Sequence, residues 1–397
     1  MSAFDLAMVG VQVALFARFL FVLGCALAQA RRRGKDEPRP SGADGAGAVP
    51  VTVVVPAFDE ERTLAATVRS IAASRHAPLD IVVVDDGSRD GTLEVARSLA
   101  RELPNVTVRA LGKNRGKVAA LNEGVGAARG EVVATVDADT TLHPEALSRL
   151  VSRLVAGGAA AVASNVRVGN RDRWLTRWQS LEYVCALNLD RRAQALLGCI
   201  TTVPGAAAVY RREALSRAGG FSADTATEDT DLSLLLLARG EKVLLEPEAL
   251  AFTEAPSSAR ALFRQRRRWL YGNLQCAWKH RRWLFSARRP ALGFFGLPNL
   301  WLVHLGVYLL LPFSAAFTVR LAHALDAPVL VGLFSALFLL DLALCAAAYG
   351  VERAGSRASP SDLLQAPVQR LLFPFFLWAV FLAVAARRLA GRAPRWT

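Results

Sequence analysis

The chain has 397 residues, 53% of them hydrophobic, and carries a formal net charge of +14. That is enough for one sizeable soluble domain plus a second unit. High apolar content with high positive charge suits a membrane protein with basic flanks or a nucleic-acid binder with a large core, and the uneven spread of the apolar residues favours the first.

The first long apolar run covers residues 8–29 and contains Arg18. It is long enough to cross a bilayer, which needs about 20 residues. A signal peptide is the competing reading, because Ala28-Gln29-Ala30 mimics a cleavage site. No Lys or Arg precedes Arg18, so the positive leader of a signal peptide is missing. The run Arg31-Arg32-Arg33-Gly34-Lys35 should hold this end inside the cell. Residues 36–49, rich in Pro, Gly and Ala, read as a linker.

A folded domain follows. VTVVVP (51–56), DIVVVDD (80–86), VTVRAL (106–111) and EVVATVDAD (131–139) read as strands. Helical patterns at 61–74, 92–102 and 117–128 separate them. This alternation predicts a parallel sheet covered on both faces, with ligands at the C-terminal strand ends.

The acids stand at such ends. In VVVDDGSRDGT (82–92) a strand delivers Asp85 and Asp86 to a turn, where a carboxylate can bond a nucleobase or ribose or simply cap the next helix. VDADT (136–140) puts Asp137 and Asp139 on one side if the strand persists. Hard oxygen ligands so placed suit Mg²⁺ or Mn²⁺ on a diphosphate, and an acidic turn is the alternative. NRGKVAALNEG (114–124) lacks the spacing of a P-loop, yet Lys117 can reach a phosphate. TEDTDLS (227–233) sets Glu228, Asp229 and Asp231 before an apolar helix, as helix-capping acids or as a source of a general base.

Two tryptophan- and arginine-rich stretches, 172–197 and 258–285, have helical spacing. They predict amphipathic helices in the membrane interface, apolar side in lipid and basic side in water. In RQRRRW (264–269), Gln265, Arg268 and Trp269 share one helix face. Arg268 can grip a diphosphate, and the Trp269 indole suits a sugar ring. Arg260, Arg266, Arg267, Lys279, Arg281 and Arg282 read as headgroup anchors.

Three more apolar runs follow, at 293–317, 328–350 and 367–386. The second of these contains Asp341. Arg18 and Asp341 are expected to face the bundle interior, with each other as a candidate partner, or to snorkel and to sit by a water-filled gap, respectively. The five cysteines show neither a CxxC nor a disulfide-like spacing, which points to a reducing or membrane setting without structural zinc.

Taken in order, VVVPAFDEE, VVVDDGSRDGT, NRGKVAALNEG, VDADT, TEDTDLS and QRRRW resemble the motif series of membrane-embedded family-two glycosyltransferases, such as the cellulose, chitin, hyaluronan and poly-N-acetylglucosamine synthases. The last of these is the nearest in its TED region. The resemblance implies a GT-A-type α/β nucleotide-sugar domain, mostly parallel, with interfacial helices and a transmembrane bundle. The implied layout is a transmembrane helix at 1–30, a linker at 31–49, the catalytic domain at 50–255, interface helices at 256–290, a bundle of about three helices at 291–390 and a basic tail at 391–397.

The same resemblance implies an inverting enzyme with a UDP-sugar donor, GlcNAc first and glucose next, and a saccharide or lipid-linked acceptor. Asp86, with Asp85, would contact uracil; Asp139, with Asp137, would hold the metal. Asp229, beside Glu228, would be the base. Gln265, Arg268 and Trp269 would close over diphosphate and acceptor, and Gly205 would border the acceptor. Membrane lipids and accessory export or modification subunits are the implied partners, with nucleic acid excluded. The catalytic domain would be cytoplasmic in a multi-pass cell-membrane protein. A non-processive transferase acting on a lipid, or an inactive binding subunit, is the alternative. One span before the domain and three after would put the C-terminus outside, whereas Arg387, Arg388, Arg392 and Arg395 prefer the inside. A miscounted span, a re-entrant segment or a tail that breaks the tendency would each account for this.

Overall fold

A computed structural model describes residues 2–36, 49–352 and 360–390. Most of the expected linker and the basic tail at 391–397 lie outside the described residues. A long helix, α1 (Ala3–Asp36), precedes the catalytic-type domain. The domain then alternates: β1 (Val51–Ala57), α2 (Leu64–Ala72), β2 (Leu79–Asp85), α3 (Thr92–Glu102), β3 (Val106–Ala110), α4 (Lys117–Ala127) and β4 (Val132–Val136). After β4 come β5 (Thr140–Leu142), α5 (Ala146–Ala156), β6 (Ala161–Val168), α6 (Trp174–Glu182) and α7 (Leu189–Leu196), the last two joined by a π-helical turn. Next are β7 (Ala207–Arg211), α8 (Arg212–Ala218), α9 (Glu228–Arg239) and β8 (Val243–Thr253). The chain continues through α10 (Ala259–Lys279), α11 (Leu297–Trp301), α12 (Val307–Ala324), α13 (Ala327–Val351) and α14 (Ala366–Leu389).

The eight strands form one sheet in the order β3-β2-β1-β4-β7-β6-β8-β5. The first four are mutually parallel, as the alternating pattern predicts. Beyond β4 the sheet is mixed: β7 runs antiparallel to β4 and β6, and β5 runs antiparallel to β8. Side-chain alternation gives the sheet two dry faces. Val54, Val82 and Val84 join α4, α8 and α9 in one core; Val53, Val55, Ile81 and Val83 join α2, α3 and α5 in the other. In α5, Leu147, Leu150, Val151 and Leu154 are buried at helical spacing. Each such side chain contributes about 2 kcal/mol on burial.

Four described helical segments are long and apolar enough to cross a membrane: Ala3–Arg32, Leu292–Ala324, Ala327–Val351 and Ser361–Leu389. Arg18 and Asp341 do not pair. Arg18 bonds Asn299 (2.6 and 2.9 Å) and Asp190 (2.9 Å), while Asp341 pairs with Arg370 at 3.2 Å. Each intramembrane charge has a nearer partner on a neighbouring element, which removes the reason to meet. Both do face the interior, lining the same cavity.

The stretch 172–197 does not lie with its apolar side in lipid. Leu175, Trp178, Leu181, Leu189 and Ala193 are buried in protein contacts, against α1 and the later helices, and Arg192 is buried too. Its π turn lets Tyr183 and Val184 both stay covered. The buried Glu352, just past α13, accepts from Asn165 (2.9 Å), Arg192 (2.6 Å) and Arg167. It thereby ties α13 to β6 and α7. Asp362 plays the same part before α14, bonded by Arg171 at 2.7 Å.

Candidate active site

The strand ends at Val136, so Asp137 and Asp139 sit in a turn rather than on one side of a strand. The Asp137 carbonyl accepts the Thr140 N–H at 3.0 Å, which closes that turn. Asp139 accepts from the hydroxyls of Thr140 (3.2 Å) and Thr253 (3.3 Å). Burial, then the like charge of Asp137, pushes its carboxyl up to about 6. Asp137 is paired with Lys117 at 2.6 Å, and the same ammonium lies 3.4 Å from Glu228. Burial alone would lower Lys117, but these two carboxylates carry it above its ordinary range.

Helix α9 begins at Glu228 with three acids in its first turn. Thr227 makes no side-chain cap hydrogen bond. Asp229 instead reaches across the fold: its Oδ2 accepts the Gly205 N–H at 3.1 Å, and its Oδ1 accepts the Thr230 N–H at 2.7 Å. Burial, followed by the charge of Glu228, pushes Asp229 up to about 6, against Lys117 and these N–H donors. A Cβ on Gly205 would stand 3.3 Å from the Lys117 Nζ and 3.6 Å from Asp229, so the backbone approach is close. Asp231 points elsewhere, to His280 (2.8 Å) and Lys279 (2.7 Å), and fastens α9 to the end of α10.

Helix α10 is pressed onto this region by Gly272, where a Cβ would meet Ala226 and Thr227 at 2.7 Å. The contact brings Gln265, Arg268 and Trp269 to the same cavity as Lys117, Asp137, Asp139, Gly205, Glu228 and Asp229. Arg268 is exposed to the cavity and makes no ion pair among the described residues. The Gln265 Oε1 is buried there without a hydrogen-bond partner, an acceptor that a ligand hydroxyl or N–H would satisfy.

Several basic residues depart from the headgroup role. Arg266 is only 5% exposed; it bonds Glu182 at 2.7 Å and lies over the Trp269 ring. Lys279 pairs with Asp224 and Asp231. Each finds a carboxylate inside the protein, where the pairing is worth more than a headgroup in water. Arg281 stacks on Trp278 at 4.5 Å.

Asp85 and Asp86 are not on the cavity wall. Both are 2% exposed. Asp86 accepts the N–H groups of Arg115 (2.7 Å) and Gly116 (2.8 Å); Asp85 accepts those of Gly87 (3.2 Å) and Ser88 (3.4 Å). In this structure they shape the loops around the strand ends.

Two acids are not singled out by the sequence motifs: Glu254 lines the cavity, and Glu60, off its wall, lies near enough to Asp139 and Asp137 to feel their charge. Glu60 follows β1, and Glu254 follows β8. Burial pushes Glu60 up to about 7, with Asp139, Asp137 and Glu254 adding like charge. Both stand just past a strand's C-terminal end, and the strand-end rule applied to β1 and β8 would have found them.

The cavity measures about 730 Å³ and continues from the acids into the helix bundle. Its wall toward the bundle mixes apolar side chains, Val307, Leu311, Leu377 and Val380, with polar ones, Arg18, Asn299, His304 and Asp341. That size suits a substrate site.

Comparison with known proteins agrees with this geometry. The profile of the family described as "Glycosyltransferase like family 2" matches residues 48–272. A poly-β-1,6-N-acetyl-D-glucosamine synthase of Staphylococcus aureus is 29% identical over 223 residues, 56% of this chain and 54% of that protein. An N-acetylglucosaminyltransferase of Sinorhizobium fredii is 35% identical over 244 residues, 57% of this chain and 58% of that one. The chain thus spans about half the length of the curated relatives it matches. A mannosyltransferase of Pyrobaculum calidifontis, solved with GDP-mannose and Mn²⁺, superposes with a TM-score of 0.66 at 23% identity, over 97% of this chain and all of that one. The fold is GT-A-like, and with more than half of its length matched the chain belongs to the glycosyltransferase-like family 2.

Proposed function

We propose that the chain is a membrane glycosyltransferase that moves a sugar, with GlcNAc as first candidate, from a UDP-sugar to an acceptor hydroxyl with inversion. One observation carries the reading. Basic and acidic residues from distant segments, 117, 137–139, 205, 228–229 and 265–269, line one cavity at the foot of the apolar helices. The names of the relatives favour GlcNAc as the donor sugar.

In this mechanism Asp229 takes the proton from the acceptor hydroxyl, which attacks the anomeric carbon opposite the nucleotide. The Gly205 and Thr230 N–H groups aim its carboxylate. Burial raises its proton affinity while leaving it ionised near neutral pH. Arg268 and Lys117 offer positive charge to the departing diphosphate. Trp269 presents its indole to the acceptor sugar, and Gln265 supplies an acceptor for a hydroxyl.

Mg²⁺ or Mn²⁺ fits the site. Among the described residues no three His, Cys, Asp or Glu side chains are grouped as a ligand set. Such ions are usually held by one or two carboxylates plus substrate phosphates, and Asp139 with Asp137 would serve. Burial first, and then the like charge of neighbouring carboxylates, raises Asp139 and Glu60, and that like charge favours a cation there. Bound, the ion would act as a Lewis acid on the diphosphate.

The acceptor is a growing β-linked polysaccharide in the first reading, with the catalytic domain in the cytoplasm and export through the bundle or an accessory subunit. A second reading is a lipid-linked acceptor used once, for which Val307, Leu311, Leu377 and Val380 offer an apolar surface on one part of the wall. Purified protein incubated with UDP-GlcNAc and a divalent cation separates the two. A ladder of products supports polymerisation, and a single lipid-extractable product supports the second reading.

A further inference from the structure

We propose that α14 does not cross the bilayer: it lies along the membrane plane against α10, and Arg387 and Arg388 stay on the catalytic-domain side, facing acidic headgroups of that leaflet. The inference builds on the membrane reading above but not on which side of the membrane the catalytic domain occupies.

Helix α10 is fastened to the catalytic domain along its length. The Gln275 side chain accepts the Ala226 N–H at 3.0 Å, Gly272 packs on Thr227, and Lys279 and His280 hold Asp231. A helix held this way runs tangent to the domain and cannot cross the hydrocarbon layer. Its exposed Arg260 and Arg264 demand water or headgroups as well.

Helix α14 keeps company with α10. Leu262 packs with Phe373, Phe263 with Phe376 at 6.1 Å between ring centres, and Leu270 with Val380 and Val384. The contacts advance in the same direction along both helices. A helix bound for the opposite face would part from α10 after its first turns. Arg267 carries a second sign of this. Burial, then the nearby positive charges of Arg387 and Arg264, holds its guanidinium below the ordinary range. Such influence between charges fades beyond about 10 Å, so the end of α14 returns close to α10.

The apolar character of α14 agrees. Gln369, Phe373, Val380 and Val384 are buried on one stripe, and Val368, Leu371, Phe375 and Leu382 are exposed on the opposite one. With α6 and α10 over one side, lipid under the other and the cavity reached near Gln369, Arg370 and Leu377, such a helix needs few polar residues. A length of roughly 36 Å would also permit crossing, so length does not decide.

The count of crossings then closes. Helices α1 and α12 meet at their far ends, where Arg320 bonds Asp5 at 2.9 Å. Helix α13 returns, and Glu352 binds the catalytic domain. Three crossings leave the chain on the domain's side, where Asp362 bonds Arg171 before α14 begins. Arg387 and Arg388 at the end of α14 then sit where the charge rule prefers them if that side is the cytoplasm.

Single-cysteine labelling with a membrane-impermeant maleimide, in intact and in permeabilised cells, tests this. The sites are Arg101→Cys on the catalytic domain, Asp326→Cys between α12 and α13, and Ala390→Cys after α14, each exposed and read against the unsubstituted chain. The expected result is that position 390 labels under the same condition as 101 and the opposite condition to 326. Labelling of 390 together with 326, opposite to 101, overturns the proposal. If 101 labels in intact cells, the cytoplasmic assignment fails, while agreement of 390 with 101 still upholds an in-plane α14.

Discussion

The Arg266 guanidinium lies 4.3 Å from the centre of the Trp269 ring and bonds Glu182 at 2.7 Å. A glutamate at the end of α6 thus holds an arginine that in turn braces the indole at the cavity. Removing one partner of a buried pair strands the other charge, at a cost of about 3–5 kcal/mol. Glu182→Ala should therefore lower the thermal unfolding midpoint in detergent sharply. The double variant Glu182→Leu/Arg266→Met, which removes both charges, should recover most of that loss.

Asp229 should govern the acid limb of activity. With its carboxyl pushed up to about 6, the base is ionised above that pH and protonated below it. The rate should fall as pH drops through about 6 and level off above. Asp229→Asn should lower turnover by roughly 10²–10⁴-fold. Nucleotide binding by the same variant, measured by calorimetry, should persist.

A divalent cation should stabilise the fold in a pH-dependent way. Glu60 and Asp139 have folded pKa values above those of free carboxyls, about 7 and about 6. Between the unfolded and folded values the folded protein binds more protons, so stability falls as pH rises from about 4 to about 7. A cation relieves the repulsion that develops over that window. The shift in unfolding temperature produced by Mn²⁺ should be large above pH ~7 and small below pH ~5. Asp139→Asn should reduce it.

Glu352 joins α13 to β6 and α7 through Arg167 and Arg192. Glu352→Gln keeps the shape and removes the charge, leaving two buried guanidiniums without a counterion. We expect a loss of about 3 kcal/mol or more, read as a lower unfolding midpoint and as faster proteolysis at the junction between the domain and the bundle.

Much of this was legible in the residues. Continuous apolar runs with helical spacers announced the parallel half of the sheet. Strand-end acids and the Gln265/Arg268/Trp269 spacing announced most of the cavity. What escaped notice depends on contacts distant in the chain. Nothing local distinguishes Arg266 from Arg267, yet Glu182, 84 positions away, buries the first. Arg18 and Asp341 look like partners only until Asp190, Asn299 and Arg370 are placed. The loop N–H groups that Asp85 and Asp86 accept depend on turns that composition does not specify. The antiparallel β7 was missed because a buried strand reads the same in either direction.

The central claim is sugar transfer at the cavity between the acids of 137–139 and 228–229 and the α10 face. The direct measurement is nucleotide release and sugar incorporation by purified protein with UDP-GlcNAc and Mn²⁺, run beside Asp229→Asn and Arg268→Ala. The account predicts turnover by the unsubstituted chain, a loss of roughly 10²–10⁴-fold in the first variant and strongly reduced turnover in the second. Undiminished transfer in both variants, or no release from any nucleotide sugar offered, would contradict it.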